Sequence, residues 1–243
     1  MVCLVINADG LPGGRAAEAR LVDCLLAEQP RTVSVLLNIN RRNTNVVLGE
    51  QYRKLYGSGW IEDTLCGLRF RLSAGSFYQV NREGAELLYE TAARMAEVRG
   101  GESLWDLYCG AGTIGLSMLS PGRNARPAQV TGVEIVPEAV ACAEQNARLN
   151  AEAGRIPPDA AHFFCADAGD AAALFAAADT GAAPAPDIVI IDPPRKGTTP
   201  ELIRELARRG VPRVVYVSCD PETLARDCAL FRASGYAVGE VQP

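Results

Sequence analysis

From about residue 103 onward, short apolar runs alternate with segments whose apolar positions recur at helical spacing. Strands are predicted for the runs SLWDLYC, AQVTGVEI, AHFFCAD, PDIVIIDPP and RVVYVSC, and a last strand for YAVGEVQP. Near-continuous apolar strands separated by helices are typical of a parallel sheet that is covered on both faces. The pattern therefore predicts an α/β fold with a doubly wound sheet.

The first part of the chain follows a different pattern. Strands are predicted for VCLVIN, VSVLLNIN, NVVLGEQY and LRFRLS, and a helix for AAEARLVDCLLAEQ. These elements predict a small α+β domain over residues 1–74. The α/β domain then covers residues 75–243 and begins with the long helix NREGAELLYETAARMAEV.

Composition narrows the class of protein. No apolar run is long enough to span a membrane, and the start MVCLVINADG has neither the basic region nor the apolar segment of a secretory signal. Eight scattered cysteines without a C-x-x-C pair argue against a metal site and a disulfide framework, which favours reduced thiols in the cytoplasm. The net charge of −5 gives no support for a long nucleic-acid-binding face.

The segment DLYCGAGTIG carries Gly110, Gly112 and Gly115 in the spacing G-x-G-x-x-G between a strand and a helix. Glycines let the backbone approach a ligand closely, and Glu134 at the end of the next strand could bind ribose hydroxyls. Nicotinamide and flavin enzymes use the same arrangement, and a tight turn without a ligand is the plain alternative. Asp106 either supports this loop or only caps it.

The segment IIDPPRKG places Asp192 at the end of a strongly apolar strand, on the edge where α/β sheets bind ligands. Two prolines stiffen the backbone that follows. A carboxylate in this position could hold a polar group over a cofactor, or could merely cap the next helix. Arg195 and Lys196 could meet phosphate or face water.

The segment RVVYVSCDPETLARD places Cys219 where the next strand gives way to a helix. A thiol beside a helix N-terminus and near Asp192 is well placed to act as a nucleophile. The alternative is a buried structural cysteine, which is the role expected for Cys142, Cys165 and Cys228.

The segment AGSFYQVN precedes the long helix. Phe77 and Tyr78 are expected in the core. Gln79 and Asn81 suggest a hydrogen-bonding turn near a ligand, although capping of the helix explains Asn81 equally well.

Taken in order, the motifs SFYQVN, DLYCGAGTIG, GVEI, DPPRKG and YVSCDPETLARD resemble the S-adenosylmethionine-dependent RNA uracil-5-methyltransferases, which make 5-methyluridine in tRNA and rRNA. The likeness covers nearly the whole chain, and the last two motifs are specific to that family. It implies a Rossmann-like class I methyltransferase sheet behind a partial, substrate-facing domain.

The resemblance implies methyl transfer to C5 of a uridine in RNA, with 23S rRNA favoured over tRNA. It makes Cys219 the nucleophile that adds to C6 of the uracil. The positions that match cofactor contacts of the family are Gln79, Tyr108, Gly110, Glu134, Asp167 and Asp192. Two alternatives stay open: methylation of an exocyclic amine with Cys219 only structural, and a nicotinamide or flavin oxidoreductase.

Three departures from the family pattern lead us to expect a chain truncated at both ends. The family's catalytic glutamate lies in a later segment, and Glu240 does not match it. A small N-terminal RNA-binding barrel is missing, and Cys3 and Cys24 do not restore the iron–sulfur cluster of many members. A non-catalytic RNA-binding module is a further alternative.

Overall fold

A computed structural model describes residues 1–43 and 46–243. The chain divides into two compact units, one made of residues 1–63 and 71–76 and the other of residues 64–70 and 77–243.

The first unit contains a three-stranded sheet in the order β1-β2-β3. Its elements are β1 (Val2–Ile6), α1 (Gly14–Glu28), β2 (Ser34–Ile39) and β3 (Gln51–Gly57). β1 pairs with β2 in parallel, and β2 pairs with β3 in antiparallel orientation.

The strand predicted for NVVLGEQY is wrong, because β3 begins only at its last residues and residues 46–50 form no strand. Residue 45 lies outside the described residues. The cause is the buried side chain of Asn38, whose Oδ1 accepts a hydrogen bond from the Gly49 N–H at 2.7 Å and whose Nδ2 donates to the Gly49 carbonyl at 2.8 Å. These bonds occupy the backbone groups that a strand would use for pairing.

β4 (Trp60–Leu65), which the sequence did not predict, and β5 (Leu68–Ser73) form a two-stranded sheet. The tip of this hairpin, residues 64–70, groups with the second unit although it precedes the predicted boundary at residue 74. Asn150 holds the tip by accepting from the Arg69 N–H at 2.9 Å and donating to the Arg69 carbonyl at 2.7 Å. The hydroxyl of Ser120 donates to the Cys66 carbonyl at 2.6 Å.

The second unit contains a five-stranded parallel sheet in the order β10-β9-β6-β7-β8. Its elements are α2 (Arg82–Ala96), β6 (Ser103–Leu107), α3 (Thr113–Met118), β7 (Gln129–Glu134), α4 (Pro137–Glu152), β8 (Ala161–Cys165), α5 (Ala171–Asp179), β9 (Ile188–Ile191), α6 (Pro200–Arg208), β10 (Arg213–Tyr216) and α7 (Pro221–Ala233).

Both faces of this sheet are covered, as the apolar runs predicted. β6 and β9 are buried along their whole length. Trp105 stacks on Phe175 with ring centroids 5.1 Å apart, in a core that also includes Phe231. Side chains alternate along a strand, so Asp106 faces the opposite side of the sheet, where it binds the backbone of α3. The prediction of a doubly wound α/β sheet is therefore confirmed.

The last strand predicted for YAVGEVQP is wrong, since residues 236–243 have no regular structure. Side-chain contacts fix this segment instead of strand pairing. The Tyr236 hydroxyl donates to the Val211 carbonyl at 2.9 Å, and Glu240 forms two hydrogen bonds with Arg94 at 2.8 and 3.0 Å.

Within residues 1–43 and 46–243, no helix combines the length and apolar character needed to cross a membrane. The eight cysteines, all among these residues, form no disulfide.

Candidate functional site

The carboxyl ends of the five parallel strands meet at one edge of the second unit's sheet. β7 and β8 lie on one side of β6, whereas β9 and β10 lie on the other, so the chain order changes direction beside β6. Open α/β sheets bind ligands at such a switch point. The fold brings five predicted site residues to this edge, at or just after the ends of the strands: Tyr108, Glu134, Asp167, Asp192 and Cys219.

The glycine loop between β6 and α3 is closed by hydrogen bonds to the protein itself. Each of its three glycine N–H groups has an acceptor: Gly110 donates to Glu134 Oε2 at 3.0 Å, Gly112 to the Cys109 carbonyl at 2.8 Å and Gly115 to Asp106 Oδ2 at 2.7 Å. Gly112 has φ +77°, and a Cβ there would lie 2.9 Å from the ring of Phe163, so only glycine fits. An added Cβ at Gly110 would meet no described atom within 4 Å, which leaves room for a ligand above that residue.

Asp106 supports the glycine loop from below. It is fully buried, its Oδ2 binds the N–H of Gly115, and its Oδ1 has no partner among the described residues. Burial is the largest cause that raises the pKa of this carboxyl; the Gly115 hydrogen bond lowers it and the nearby carboxylates of Asp192 and Glu134 raise it, which together give a pKa of about 7. The bond goes to the third residue of α3, so Asp106 caps the first turn of that helix and, through it, supports the loop that precedes it.

Glu134 is half-buried and joins β7 to the glycine loop. Its Oε2 accepts from the Gly110 N–H and its Oε1 accepts from the Val136 N–H, each at 3.0 Å. A carboxylate has about four acceptor positions, so lone pairs remain on both oxygens for hydroxyl groups of a ligand.

Tyr108 has a left-handed backbone with φ 62°, which is uncommon for a bulky residue and marks a strained turn beside the loop. Its hydroxyl lies 3.2 Å from the Thr198 hydroxyl, and burial raises the pKa of the phenol. Asp167, at the end of β8, is exposed and accepts from the Gly169 N–H at 2.8 Å.

Asp192 follows β9, and its own N–H donates to the Leu107 carbonyl at 3.2 Å. Burial raises the pKa of its side chain to about 6. Hydrogen bonds from other residues would offset this cost, but no described residue donates one to this carboxylate. Arg195 and Lys196, three and four residues after Asp192, are exposed.

Cys219 is exposed, so the alternative of a buried structural cysteine does not hold at this position. The next residue, Asp220, caps α7 by accepting from the N–H groups of Glu222 and Thr223, each at 3.0 Å. These bonds, with that of Thr223 the strongest cause, lower the pKa of the Asp220 carboxyl. The thiol therefore stands at the edge of the sheet, directly before the first turn of a capped helix.

The other cysteines follow the expectation only in part. Cys142 is buried and Cys228 is partly buried, but Cys165 is exposed. The expectation fails for Cys165 because it is the last residue of β8, which lies at the outer edge of the sheet.

The segment before α2 carries Gln79, which is half-buried and lies two residues before the helix cap. Asn81 is that cap, and its Oδ1 accepts from the Gly84 N–H at 3.1 Å. The expectation of a core position is wrong for Phe77, which is 77% exposed because it lies in an irregular segment. α2 contacts the glycine-loop helix through the hydroxyls of Tyr89 and Thr113, which are 2.9 Å apart.

Sequence reasoning missed a buried network behind the site, made of Thr198, Tyr216 and Asp227. Asp227 lies one helical turn before the buried Phe231, on the apolar face of α7. A carboxylate on the apolar face of a helix is the signal that could have identified it, because such a group needs buried partners.

Among the described residues, no group of three or more histidine, cysteine, aspartate or glutamate side chains could hold a metal ion.

Residues 61–234 match the family model described as tRNA (Uracil-5-)-methyltransferase. A protein named uncharacterized RNA methyltransferase from Halalkalibacterium halodurans is 37% identical over 243 residues, which are 100% of this chain and 49% of that protein. A protein of the same description from Enterococcus faecalis is 40% identical over 225 residues, 93% of this chain and 46% of that protein. The chain thus spans about half the length of the curated relatives it matches.

Among solved structures, a Pyrococcus abyssi tRNA (uracil-54, C5)-methyltransferase in complex with S-adenosyl-L-homocysteine is similar with a TM-score of 0.68 and 26% identity. The similarity covers 94% of this chain and 48% of that one. The matched range includes both segments that the sequence analysis found specific, DPPRKG and YVSCDPETLARD. The chain belongs to the tRNA (uracil-5-)-methyltransferase family.

Proposed function

We propose that this chain carries the S-adenosylmethionine site and the nucleophile of an RNA uracil-5-methyltransferase. The observation that carries the proposal is the pairing of Cys219 and Asp192. An exposed thiol and a half-buried carboxylate, to which no described residue donates a hydrogen bond, follow the ends of adjacent parallel strands. Neither methylation of an amine nor hydride transfer by an oxidoreductase would use this thiol.

The residues at the edge fit a positively charged cofactor better than a dinucleotide. The three glycine N–H groups already have protein acceptors, so these three groups are not available to a pyrophosphate. The carboxylates of Glu134 and Asp192 would also repel a phosphate. The same carboxylates would attract the sulfonium and ammonium groups of S-adenosylmethionine, and Asp192 would gain a partner that no described residue supplies.

Each residue predicted to contact the cofactor has a role in this proposal. Glu134 has free lone pairs for the ribose hydroxyls, and Gly110 leaves space above the loop. Tyr108 offers its ring beside the loop, while Asp167 lies at the end of β8 where an adenine would be approached. Gln79 and Asp192 supply polar groups for the amino-acid end.

Cys219 would be the nucleophile that attacks the uracil. Its thiolate adds to C6 of the uracil, a C–S bond forms, and the electrons of the C5–C6 double bond move into an enolate that makes C5 nucleophilic. When bound, S-adenosylmethionine would supply the methyl group from its positively charged sulfur, so that the bond from C5 to the methyl group forms as the methyl–sulfur bond breaks and S-adenosylhomocysteine leaves. A base then takes the C5 proton, and the electrons of that C–H bond restore the double bond and expel the thiolate.

Glu240 is a poor candidate for the base that removes the C5 proton. Its two hydrogen bonds to Arg94 hold the pKa of that carboxyl below its usual range, which makes it a weaker proton acceptor. This agrees with the sequence comparison in which Glu240 did not match the catalytic glutamate of the family.

The proposed substrate is a uridine that leaves its stack to reach the thiol, at a cost of a few kcal/mol. 23S rRNA is the target favoured from the sequence, while the family model and the Pyrococcus enzyme are named for tRNA. Both RNAs therefore belong in the assay.

The test uses 23S rRNA fragments and tRNA that contain 5-fluorouridine, incubated with S-adenosylmethionine and the chain. Fluorine cannot leave as a proton, so the adduct is trapped without any need for the base. We expect a covalent protein–RNA complex that carries one added methyl group by intact mass and is absent for Cys219→Ala.

Cys165→Ala is the matched control, because Cys165 is an exposed thiol at the far edge of the same sheet. It should leave the complex unchanged. Methyl transfer to RNA that persists undiminished in Cys219→Ala would contradict the proposal and favour methylation of an amine.

A further inference from the structure

Behind the site, Asp227 in the middle of α7 is completely buried. Its Oδ2 accepts from the Tyr216 hydroxyl at 2.7 Å and from the Thr198 N–H at 3.0 Å. Its Oδ1 accepts from Arg226, with Nε at 2.8 Å and Nη2 at 2.7 Å. A buried carboxylate is tolerated only with such a set of partners, and these come from β10, from α7 itself and from the loop after β9.

The loop after β9 is fitted directly onto this carboxylate. Arg226 Nη2 donates to the Lys196 carbonyl at 2.8 Å. Gly197 has φ +77°, and a Cβ there would lie 2.4 Å from both Arg226 Nη2 and Asp227 Oδ2. The backbone of the loop that begins with Asp192 is thus in contact with the side chains of α7.

The strand that leads to the thiol is joined to the same carboxylate. Tyr216 is the last residue of β10 and precedes Cys219 by three positions. The Thr198 hydroxyl extends the connection to Tyr108, whose hydroxyl lies 3.2 Å away. One acidic group therefore joins the segments that carry Cys219, Asp192 and the turn before the glycine loop.

We infer that Asp227 is a positioning residue that fixes Cys219 relative to Asp192, so that thiol and cofactor face the same uracil. The inference rests on the proposed function for its purpose, but the fixed geometry is a property of the chain alone. Both side-chain oxygens of Asp227, Oδ1 and Oδ2, act as acceptors. In Asp227→Asn only one side-chain oxygen remains as an acceptor, and the NH₂ group that replaces the other oxygen faces a hydrogen-bond donor.

The chain offers a matched pair of variants. Tyr216→Phe removes the hydroxyl bound to Asp227, whereas Tyr236→Phe removes a hydroxyl bound to the Val211 carbonyl at 2.9 Å. Both tyrosines pack edge-on against Phe231, with ring centroids 6.4 and 5.3 Å away. The two substitutions therefore remove the same group from the same aromatic cluster, and only the first touches Asp227.

The measurement is the rate of alkylation of each cysteine by iodoacetamide, followed by peptide mass spectrometry. This alkylation assay needs neither RNA nor cofactor, so its result tests the inference even if the chain does not carry out the proposed reaction. Cys24 and Cys165 are exposed references, and the buried Cys109 and Cys142 report unfolding. Because Cys219 is already exposed, a change in its rate reflects its orientation and surroundings at the start of α7 and not its burial.

We expect Tyr216→Phe to lower the Cys219 rate at least threefold and Asp227→Asn to lower it further, with the other cysteines within 1.5-fold. The Tyr216→Phe/Asp227→Asn double variant should match Asp227→Asn alone, because Tyr216 acts on the Cys219 geometry only through Asp227. Tyr236→Phe should leave the Cys219 rate within 1.5-fold. Equal Cys219 rates in Tyr216→Phe and Tyr236→Phe, at retained protection of Cys109 and Cys142, would overturn the inference.

A second readout separates this inference from the proposed function. In the 5-fluorouridine assay, Tyr216→Phe should slow adduct formation at saturating RNA at least threefold while the half-saturating RNA concentration stays within twofold. Adduct formation at the wild-type rate in that variant would overturn the positioning role. Absence of any adduct in the unchanged chain, with the alkylation pattern as expected, would instead count against the uracil chemistry and leave the fixed geometry standing.

Discussion

Asp106 should make the second unit less stable as the pH rises. Burial raises the pKa of its carboxyl from 3.8 to about 7, so folding favours the protonated acid. The associated stability is complete below pH 3.8 and is lost as the pH rises through about 7. Asp106→Asn keeps an acceptor for the Gly115 N–H but cannot ionise, so it should remove this dependence.

The magnitude follows from the size of the shift. A shift of about three pKa units corresponds to about 4 kcal/mol, since one unit is about 1.4 kcal/mol. At pH 5 an unfolded aspartate is already mostly charged, so part of this unfolding free energy is already lost at that pH. About 2 to 3 kcal/mol then remains between pH 5 and pH 8. The unfolding free energy of Asp106→Asn relative to the unchanged chain should therefore rise by about that amount over this range.

The assay is urea unfolding at several pH values between 5 and 8. A Trp60→Phe background leaves Trp105, which is 1% exposed in the core of the second unit, as the fluorescent reporter. Asp187→Asn is the matched control, because its exposed carboxylate accepts the Ser103 N–H at 2.8 Å at the other end of the same strand. Parallel stability profiles for the unchanged chain and Asp106→Asn would refute the reasoning.

Three further outcomes are expected. Gly197→Ala should lower the unfolding free energy by about 3 kcal/mol, because the added Cβ clashes and the backbone there is left-handed. In the control Gly122→Ala the added Cβ meets no described atom within 4 Å, and the loss should be less than about 1 kcal/mol. Asn150→Ala should cost about 2 to 4 kcal/mol in urea unfolding, because it frees two backbone groups of the hairpin tip, and a loss below about 0.5 kcal/mol would contradict this. The Kd for S-adenosylmethionine by calorimetry should rise up to about tenfold per unit as the pH falls below about 6, the pKa of Asp192, and this pH dependence should be absent in Asp192→Asn.

Much of the second unit could be predicted from the sequence, because burial on both faces leaves long apolar runs. The adjacency of Asp192 and Cys219 followed from parallel strands meeting at one edge, and the strand order agrees. The cap at Asn81 was also visible, since its residue type and position are typical of a helix start.

The errors arose where side chains override a local pattern. Asn38 binds Gly49 and so keeps an apolar segment out of the sheet. The apolar residues after α7 resemble a strand, but β10 ends at Tyr216 and the segment is fixed by single side-chain contacts. Two partners of Asp227, Thr198 and Tyr216, lie 29 and 11 residues away in the sequence, so only the fold could reveal them.

The fastening of residues 64–70 by Asn150 and Ser120 has a consequence for exchanging modules between relatives. The chain enters the second unit at residue 64, returns to the first at residue 71 and re-enters the second at residue 77. No single crossover point separates the two units, so a chimera joined near residue 74 would import a foreign hairpin tip. Such a chimera should work only if the donor's tip still satisfies the Asn150 amide and the Ser120 hydroxyl. Recombination within this family is therefore expected to carry the tip together with the sheet domain that holds it.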